Sequence, residues 1–196
     1  MFFLPTLFFK KLNEKISLTR QEEDIIKGLV YIKKIRKKQF LLQAGDTCKL
    51  LTFVEAGALR AFSVNEKGQE HIIRFALEGQ TISDLNSFMA GEPSAYNIEA
   101  LEDSVLIGIT KCAWEEIQKL VPKYETYIRL ELITAYSAMQ HRITALISFT
   151  PEEAYNYFIS LYPNIAQRVP QHMIASYLGL TPETLSRVRK RLLAGK

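Results

Sequence analysis

The chain has 196 residues, 47% hydrophobic and 23% charged, with nine Gly, seven Pro and a net charge of +4. This ordinary globular composition supports one large domain or two small ones with a buried core, and it excludes disorder, collagen and fibrous coiled coil. No stretch offers about 18 uncharged apolar residues to span a bilayer, and the two cysteines, Cys48 and Cys112, are too few for a disulfide framework, which points to the cytoplasm.

The opening MFFLPTLFF is apolar, but Pro5 breaks it and Lys10-Lys11 close it. Without a basic leading segment or a small-residue cleavage site, it reads as an N-terminal helix on a core rather than a signal peptide. Residues 10–38 hold ten Lys/Arg against four acids, residues 39–167 nine against sixteen, and residues 168–196 six against one. A basic end on an acidic body suggests a polyanion partner, although a solvated basic helix carries the same charge.

From about residue 40 to 110 the pattern predicts strands and turns. TFVEAGALRAFSV alternates around Gly57, while EHIIRFAL and SVLIGI are β-branched runs. Gly45, Gly57, Gly68, Gly79 and Gly91 recur every 11 or 12 residues beside polar neighbours. That rhythm predicts an antiparallel sandwich or barrel. Residues 113–148 lack glycine, and only Pro122 interrupts them. Apolar residues at 128, 132, 135 and 139, and again at 133, 136, 143 and 147, predict a helix with two adjoining apolar faces. One face suits the β-domain and the other a symmetry-related copy; a single wide stripe on one core is the alternative. Thr150-Pro151-Glu152-Glu153 has the cap, first-turn Pro and returning Glu of a helix start, and that helix should end near Tyr162-Pro163.

The last segment, RVPQHMIASYLGLTPETLSRVRKRLLAGK, predicts a helix over Gln171–Leu178, a turn at Gly179 and a second helix from Thr181-Pro182-Glu183 to about Leu193. Ala175 supplies a small residue where two such helices cross, and Leu185 anchors the second from inside. These are the demands of a helix-turn-helix. On the second helix Leu185, Val188 and Leu192 point inward. Glu183, Thr184, Ser186, Arg187, Lys190 and Arg191 point outward. Glu183 and Arg187 sit one turn apart where a recognition helix meets base edges. Arg pairs bidentately with guanine and Glu accepts from cytosine. Lys190, Arg191, Arg168 and the helix starts at Thr181 and Gln171 suit phosphates, and His172 is solvated or phosphate-facing. The plain alternative is an i,i+4 surface pair worth about 0.2–0.5 kcal/mol.

A β-roll, a long helix and this C-terminal motif, in that order, resemble the catabolite-activator (Crp/Fnr) family of transcription regulators over nearly the whole chain. VPQHMIASYLGLTPETLSRVRKRL is the most specific part. The resemblance implies an α+β fold. Residues 1–112 would form N-terminal helices and an antiparallel β-roll (a double-stranded β-helix), residues 113–148 a long dimerisation helix, and residues 149–196 a winged helix-turn-helix. It also implies a homodimer on palindromic double-stranded DNA, with RNA polymerase as a partner if the output is activation, and no membrane. The family often places Glu and Arg four residues apart, here Glu183 and Arg187. Pro182 stands where some members carry a further contacting Arg. Because the chain stops soon after Leu193, wing strands are expected ahead of the motif.

Members that sense cyclic AMP hold its ribose with a Gly-Glu pair and its phosphate with an Arg-Ser or Arg-Thr pair. Here Gly79 matches but Gln80 replaces the Glu, and Ser94 matches but Pro93 replaces the Arg. A cyclic phosphate is best held by an Arg fork, so the resemblance argues against cyclic AMP. Gly79, Gln80, Ser83, Asp84 and Ser94 make the candidate effector pocket, either for another small molecule, neutral or cationic, or as a vestige. No cofactor or metal is expected. Iron–sulfur members need about four cysteines, and the roll carries only His71, against the His/Glu set of a cupin enzyme. Two rival readings stand beside the regulator: a small-molecule sensor without DNA readout, and a cupin-type metal enzyme.

Overall fold

A computed structural model describes residues 5–194; residues 1–4, the first part of the apolar opening, and 195–196 lie outside the described residues. Immediately after Pro5, helix α1 (Thr6–Ile16) buries Phe8, Phe9, Leu12 and Ile16. Pro5 offers the helix no side-chain cap, so a remote carboxylate does. Glu55 accepts from the Leu7 N–H at 2.7 Å and the Phe8 N–H at 2.8 Å, satisfying amides that a first turn otherwise leaves orphaned. Thr19 and Glu22 form a reciprocal capping box at the start of α2 (Arg20–Leu29).

Seven strands follow among the described residues: β1 (Tyr31–Ile35), β2 (Phe40–Leu42), β3 (Leu50–Ala56), β4 (Leu59–Val64), β5 (Glu70–Ala76), β6 (Asn97–Ala100) and β7 (Ser104–Thr110), with helix α3 (Leu85–Ala90) between β5 and β6. They form a three-stranded sheet, β1-β7-β3, and a four-stranded sheet, β2-β6-β4-β5. The pairings β1–β7, β2–β6, β3–β7 and β4–β6 are antiparallel. This is the expected antiparallel roll. The spaced glycines at 45, 57, 68, 79 and 91 have φ between +76° and +101°. Gly57 shows why one of them has to be glycine: at φ +101° a Cβ would lie 2.8 Å from the Ser104 Cα.

The helix expected over 113–148 is divided in two, α4 (Lys111–Leu120) and α5 (Lys123–Ser148). Pro122 is the cause. The residue before a proline is pushed out of helical geometry, and Val121 sits at φ −130°, ψ 76°. Phe53, Ile107, Ile109, Ile117, Val121 and Tyr124 join the α1 residues in one core. Beyond Ser148 come α6 (Pro151–Leu161), α7 (Ile165–Arg168), α8 (Gln171–Leu178) and α9 (Pro182–Ala194). The wing strands expected ahead of the motif are not there: helices α6 and α7 and the turn between them occupy residues 151–168, and no strand follows β7 among the described residues. Local chemistry accounts for this, since Thr150 and Glu153 complete a capping box, Pro151 opens the first turn, and Ala154 and Phe158 bury one face of α6.

The chain forms two compact units. The first takes residues up to Ser63 together with Arg74–Leu132; the second takes Val64–Ile73 and residues from Ile133 onward. In the first, Glu55 is 6% exposed, and its two amide bonds anchor α1. Glu55→Ala should therefore cost about 1–3 kcal/mol in urea-induced unfolding; a midpoint equal to the parent protein's would remove Glu55 as the anchor.

Candidate nucleic-acid interface

The second unit closes around Phe158, Ile165, Ile174, Ala175, Leu185 and Val188, each at most 2% exposed. The rings of Phe158, Tyr162 and Tyr177 pack within 5.2–6.2 Å of one another. Helix α8 ends where Gly179 adopts φ +67°, ψ 24°, and the Leu180 N–H returns to the Ala175 carbonyl at 2.9 Å. A left-handed residue at this point is cheapest as glycine. Thr181 then caps α9, its hydroxyl accepting from the Thr184 N–H at 3.2 Å.

Helix α9 is sharply two-sided. Leu185 and Val188 are buried and Leu192 is half-buried, while Glu183, Arg187, Lys190 and Arg191 are exposed; Thr184 and Ser186 lie half-buried at the border. The Arg187 guanidinium donates to Thr184 Oγ1 at 3.3 Å. Glu183 has its carboxyl held below the usual range, first by its own backbone N–H and then by the Thr181 hydroxyl and the Arg187 charge. It is thus an ionised acceptor at neutral pH, the state that takes a hydrogen bond from a cytosine amine. Gln171 and His172 are exposed on the first turn of α8, beside Pro170, which makes no side-chain cap. Arg168 is half-buried at the end of α7. Arg191 is not solitary: it forms an ion pair with Glu152 at 2.8 Å, although its side chain stays 72% exposed, so solvent screening leaves that pair little strength against a phosphate.

Two residues absent from the sequence-derived set hold this unit together. The Ser176 hydroxyl accepts from the Ile72 N–H at 3.0 Å and donates to the Glu70 carbonyl at 3.2 Å. Arg142 donates to the carbonyls of Ile73, Ile72 and Tyr177, and its guanidinium lies 4.2 Å from the Tyr177 ring centre. The partners are 35 to 106 residues away in sequence, so no local pattern signals them. Only the unusual placing of a cation among the apolar positions of α5 hinted at Arg142.

In the first unit the five candidate effector residues are largely committed to structure. Gly79 and Gln80 form a turn: the Gln80 N–H donates to the Leu77 carbonyl at 3.1 Å, and Gln80 Oε1 accepts from the Leu77 N–H at 3.0 Å. Asp84 is buried, caps α3 through the Ser87 N–H at 3.0 Å, and accepts from the buried Ser94 hydroxyl at 2.8 Å. Nearby Tyr96 has its pKa pushed up to about 12, first by burial and then by the Asp84 charge. Ser83 donates to the Ile82 carbonyl and accepts from the Thr52 N–H. Of the five, only Ser83 lines the cleft of about 800 Å³ in this unit. Among the described residues, no group of three or more His, Cys, Asp or Glu is placed to hold a metal, and no helix is long and apolar enough to cross a membrane.

Comparison with known proteins gives this arrangement its setting. Residues 32–119 match the family model described as Cyclic nucleotide-binding domain. The "Fumarate and nitrate reduction regulatory protein" of Vibrio cholerae is 29% identical over 189 residues, covering 89% of this chain and 74% of that protein. FixK2 from Bradyrhizobium japonicum superposes with a TM-score of 0.71 at 20% identity, covering 85% of both chains. The Catabolite Activator Protein of Thermus thermophilus does so at 0.56 and 18% identity, covering 94% of this chain and 87% of that one. At those identities the two structures establish a shared fold.

The match to the domain does not carry its ligand with it. A cyclic phosphate at the Asp84–Ser94 pair would meet a carboxylate rather than an Arg fork, and like charges in a buried site repel. A ligand at a hundred times its Kd adds about 2.7 kcal/mol of stability, a readily measured rise in melting temperature. Millimolar cyclic AMP should leave the melting temperature where it is; a clear rise would show that Pro93 can be accommodated.

Proposed function

We propose that this chain, which belongs to the Crp/Fnr family of transcription regulators, acts in the cytoplasm as a homodimer that reads a palindromic DNA site through α9. The observation that carries this reading is the division of α9. Leu185 and Val188 are consumed in holding the helix, with 0% and 2% exposure, while Glu183, Arg187 and Lys190 face solvent. Glu183 and Arg187 suit base edges. Lys190, Arg191, Arg168 and the first turn of α8, with Gln171 and His172, suit phosphates; Thr181, Thr184 and Ser186 position the start of α9. The protein works by binding and not by catalysis.

The second half of α5 supports the dimer. Leu132, Tyr136, Met139, Ile143 and Leu146 are 48–57% exposed at alternating spacings of four and three, the seam of a two-stranded coiled coil. Of the two apolar stripes expected on this helix, the one at 128, 132, 135 and 139 buries little: Ile128 packs on the core, while Leu132, Ala135 and Met139 are exposed. Beyond Ile128, both stripes are therefore exposed and open to a second copy. Such a pair would set two recognition helices about 34 Å apart, one turn of DNA.

Selection from random duplex DNA should return two inverted half-sites spaced by about one helical turn, with affinity falling linearly in the logarithm of salt. Return of unrelated sequences would sink the reading. Arg187→Ala should cost about 1–3 kcal/mol on the selected site and relax selectivity there; an equal loss on random DNA would make Arg187 a phosphate contact only. Ile143→Glu should give monomers in sedimentation equilibrium and weaken binding to the palindrome more than to a single half-site. An unchanged dimer would move the subunit contact off α5.

A further inference from the structure

We propose that Glu152 is a built-in stand-in for a DNA phosphate: its carboxylate holds the Arg191 guanidinium in the free protein and releases it when a duplex docks on α9. Such a role rests on the DNA-binding reading of α9. It adds a residue that sets how tightly DNA of any sequence is held.

The start of α6 shows that this carboxylate is spare to the helix cap. Two acids follow Pro151, and the capping box uses the second. Glu153 Oε2 accepts from the Thr150 N–H at 2.8 Å, and the Glu153 N–H donates back to Thr150 Oγ1 at 3.3 Å. Glu152, one position earlier, takes no part in that box. The dipole of α6 favours a negative charge in the first turn, but it does so wherever the side chain points. Here the side chain crosses to α9: Glu152 Oε1 accepts from Arg191 Nη1 at 2.8 Å, over 39 residues of sequence.

The other end of the pair lies on the face of α9 that is offered to DNA. Arg191 stands one helical turn after Arg187, and both are exposed while Leu185 and Val188 are buried. The first residues of a recognition helix meet base edges, and a cation two turns further on meets the phosphate backbone. A carboxylate and a phosphate present similar paired oxygens to a guanidinium fork, so the two compete for one donor. The competition is uneven. The Arg191 side chain is 72% exposed and that of Glu152 32%, so solvent weakens the internal pair, whereas a duplex brings many phosphates at once. Breaking the pair should therefore reduce DNA affinity only about two- to fivefold, the scale of an exposed ion pair. The reduction should be equal on every sequence, because phosphate contacts carry no base information.

A double-mutant cycle on the full chain tests this, with affinity read by anisotropy on the selected duplex and on random duplex. Glu152→Gln should tighten both about two- to fivefold. Arg191→Gln should loosen both and lower the salt slope by about 0.9, the share of one phosphate. The double variant should match Arg191→Gln alone, since the carboxylate then has nothing to hold. Glu152→Gln should keep the native salt slope, because Arg191 reaches a phosphate in both proteins. A gain that persists beside Arg191→Gln would reduce Glu152 to general repulsion. A steeper slope in Glu152→Gln would mean that native Arg191 never lets go. Unchanged or weaker binding in Glu152→Gln, with a lowered melting temperature or without one, would leave Glu152 a clip between helices. Each of these three results overturns the stand-in. Native protein that binds random duplex but selects no sequence overturns the base-reading conclusion instead, and the cycle on random duplex still decides the role of Glu152.

Discussion

A helix that reads bases has to surrender one side to its own domain and keep the other bare, and α9 meets that constraint within thirteen residues. Burying Leu185 and Val188 stabilises the helix by about 1.5–3 kcal/mol each, but only if the facing surface is apolar, close and free of bulk. Helix α8 supplies it with Ile174 and Ala175, both 0% exposed. The small side chain of Ala175 lets the helices cross, and Gly179 turns the chain between them at a backbone angle that a larger residue would strain. With Leu185 and Val188 buried, four charged groups along the helix, Glu183, Arg187, Lys190 and Arg191, are left exposed. The exposed face is thus a consequence of packing behind it.

Local patterns made much of this legible in the sequence. The helix boundaries at Gln171 and Leu178, the cap at Thr181 and the box at Thr150 each depend on residues within a few positions of one another, and the structure places them so. The glycine rhythm was informative for the same reason, since each turn imposes its own backbone angle. The readings that failed were non-local or borrowed. Pro122 pushes Val121 out of helical geometry, so α4 and α5 stand where the apolar period predicts a single helix. The wing came from family resemblance, against the strong helical signals of residues 150–168. Gly79 and Gln80, expected beside a ligand, form a tight turn with Leu77.

The missing wing has a structural counterpart in the second unit. All of that unit's C-terminal elements are helices, yet a piece of strand belongs to it, the tip of the β4–β5 hairpin over Val64–Ile73. Ser176 and Arg142 fasten that tip by four hydrogen bonds to backbone groups of Glu70, Ile72 and Ile73, and Arg142 makes a fifth to the Tyr177 carbonyl of α8. Hydrogen bonds from a charged donor contribute more than neutral ones, roughly 1.5–3 kcal/mol each, so Arg142 is the stronger of the two fasteners. A backbone edge that would otherwise need water is satisfied from side chains, and α8 gains support at the turn just before Gly179. A β-element remote in sequence thereby supports the motif, which no adjoining strand does among the described residues.

In the proposed dimer, the same region would join subunit pairing to base reading. Leu146 belongs to the exposed seam of α5, and its Cδ2 lies 3.4 Å from where a side chain on Gly179 would begin. One residue therefore faces two tasks: half of it is open to a second copy, and the rest abuts the turn that sets the angle between α8 and α9. Close-packed contacts transmit displacement because they cannot be compressed. In the proposed dimer, a shift of one α5 along its partner would move Leu146, and with it the Gly179 turn, before it reached any charged group on α9. Glycine at 179 is required by its backbone angle, and its lack of a side chain leaves Leu146 the room it occupies beside the turn.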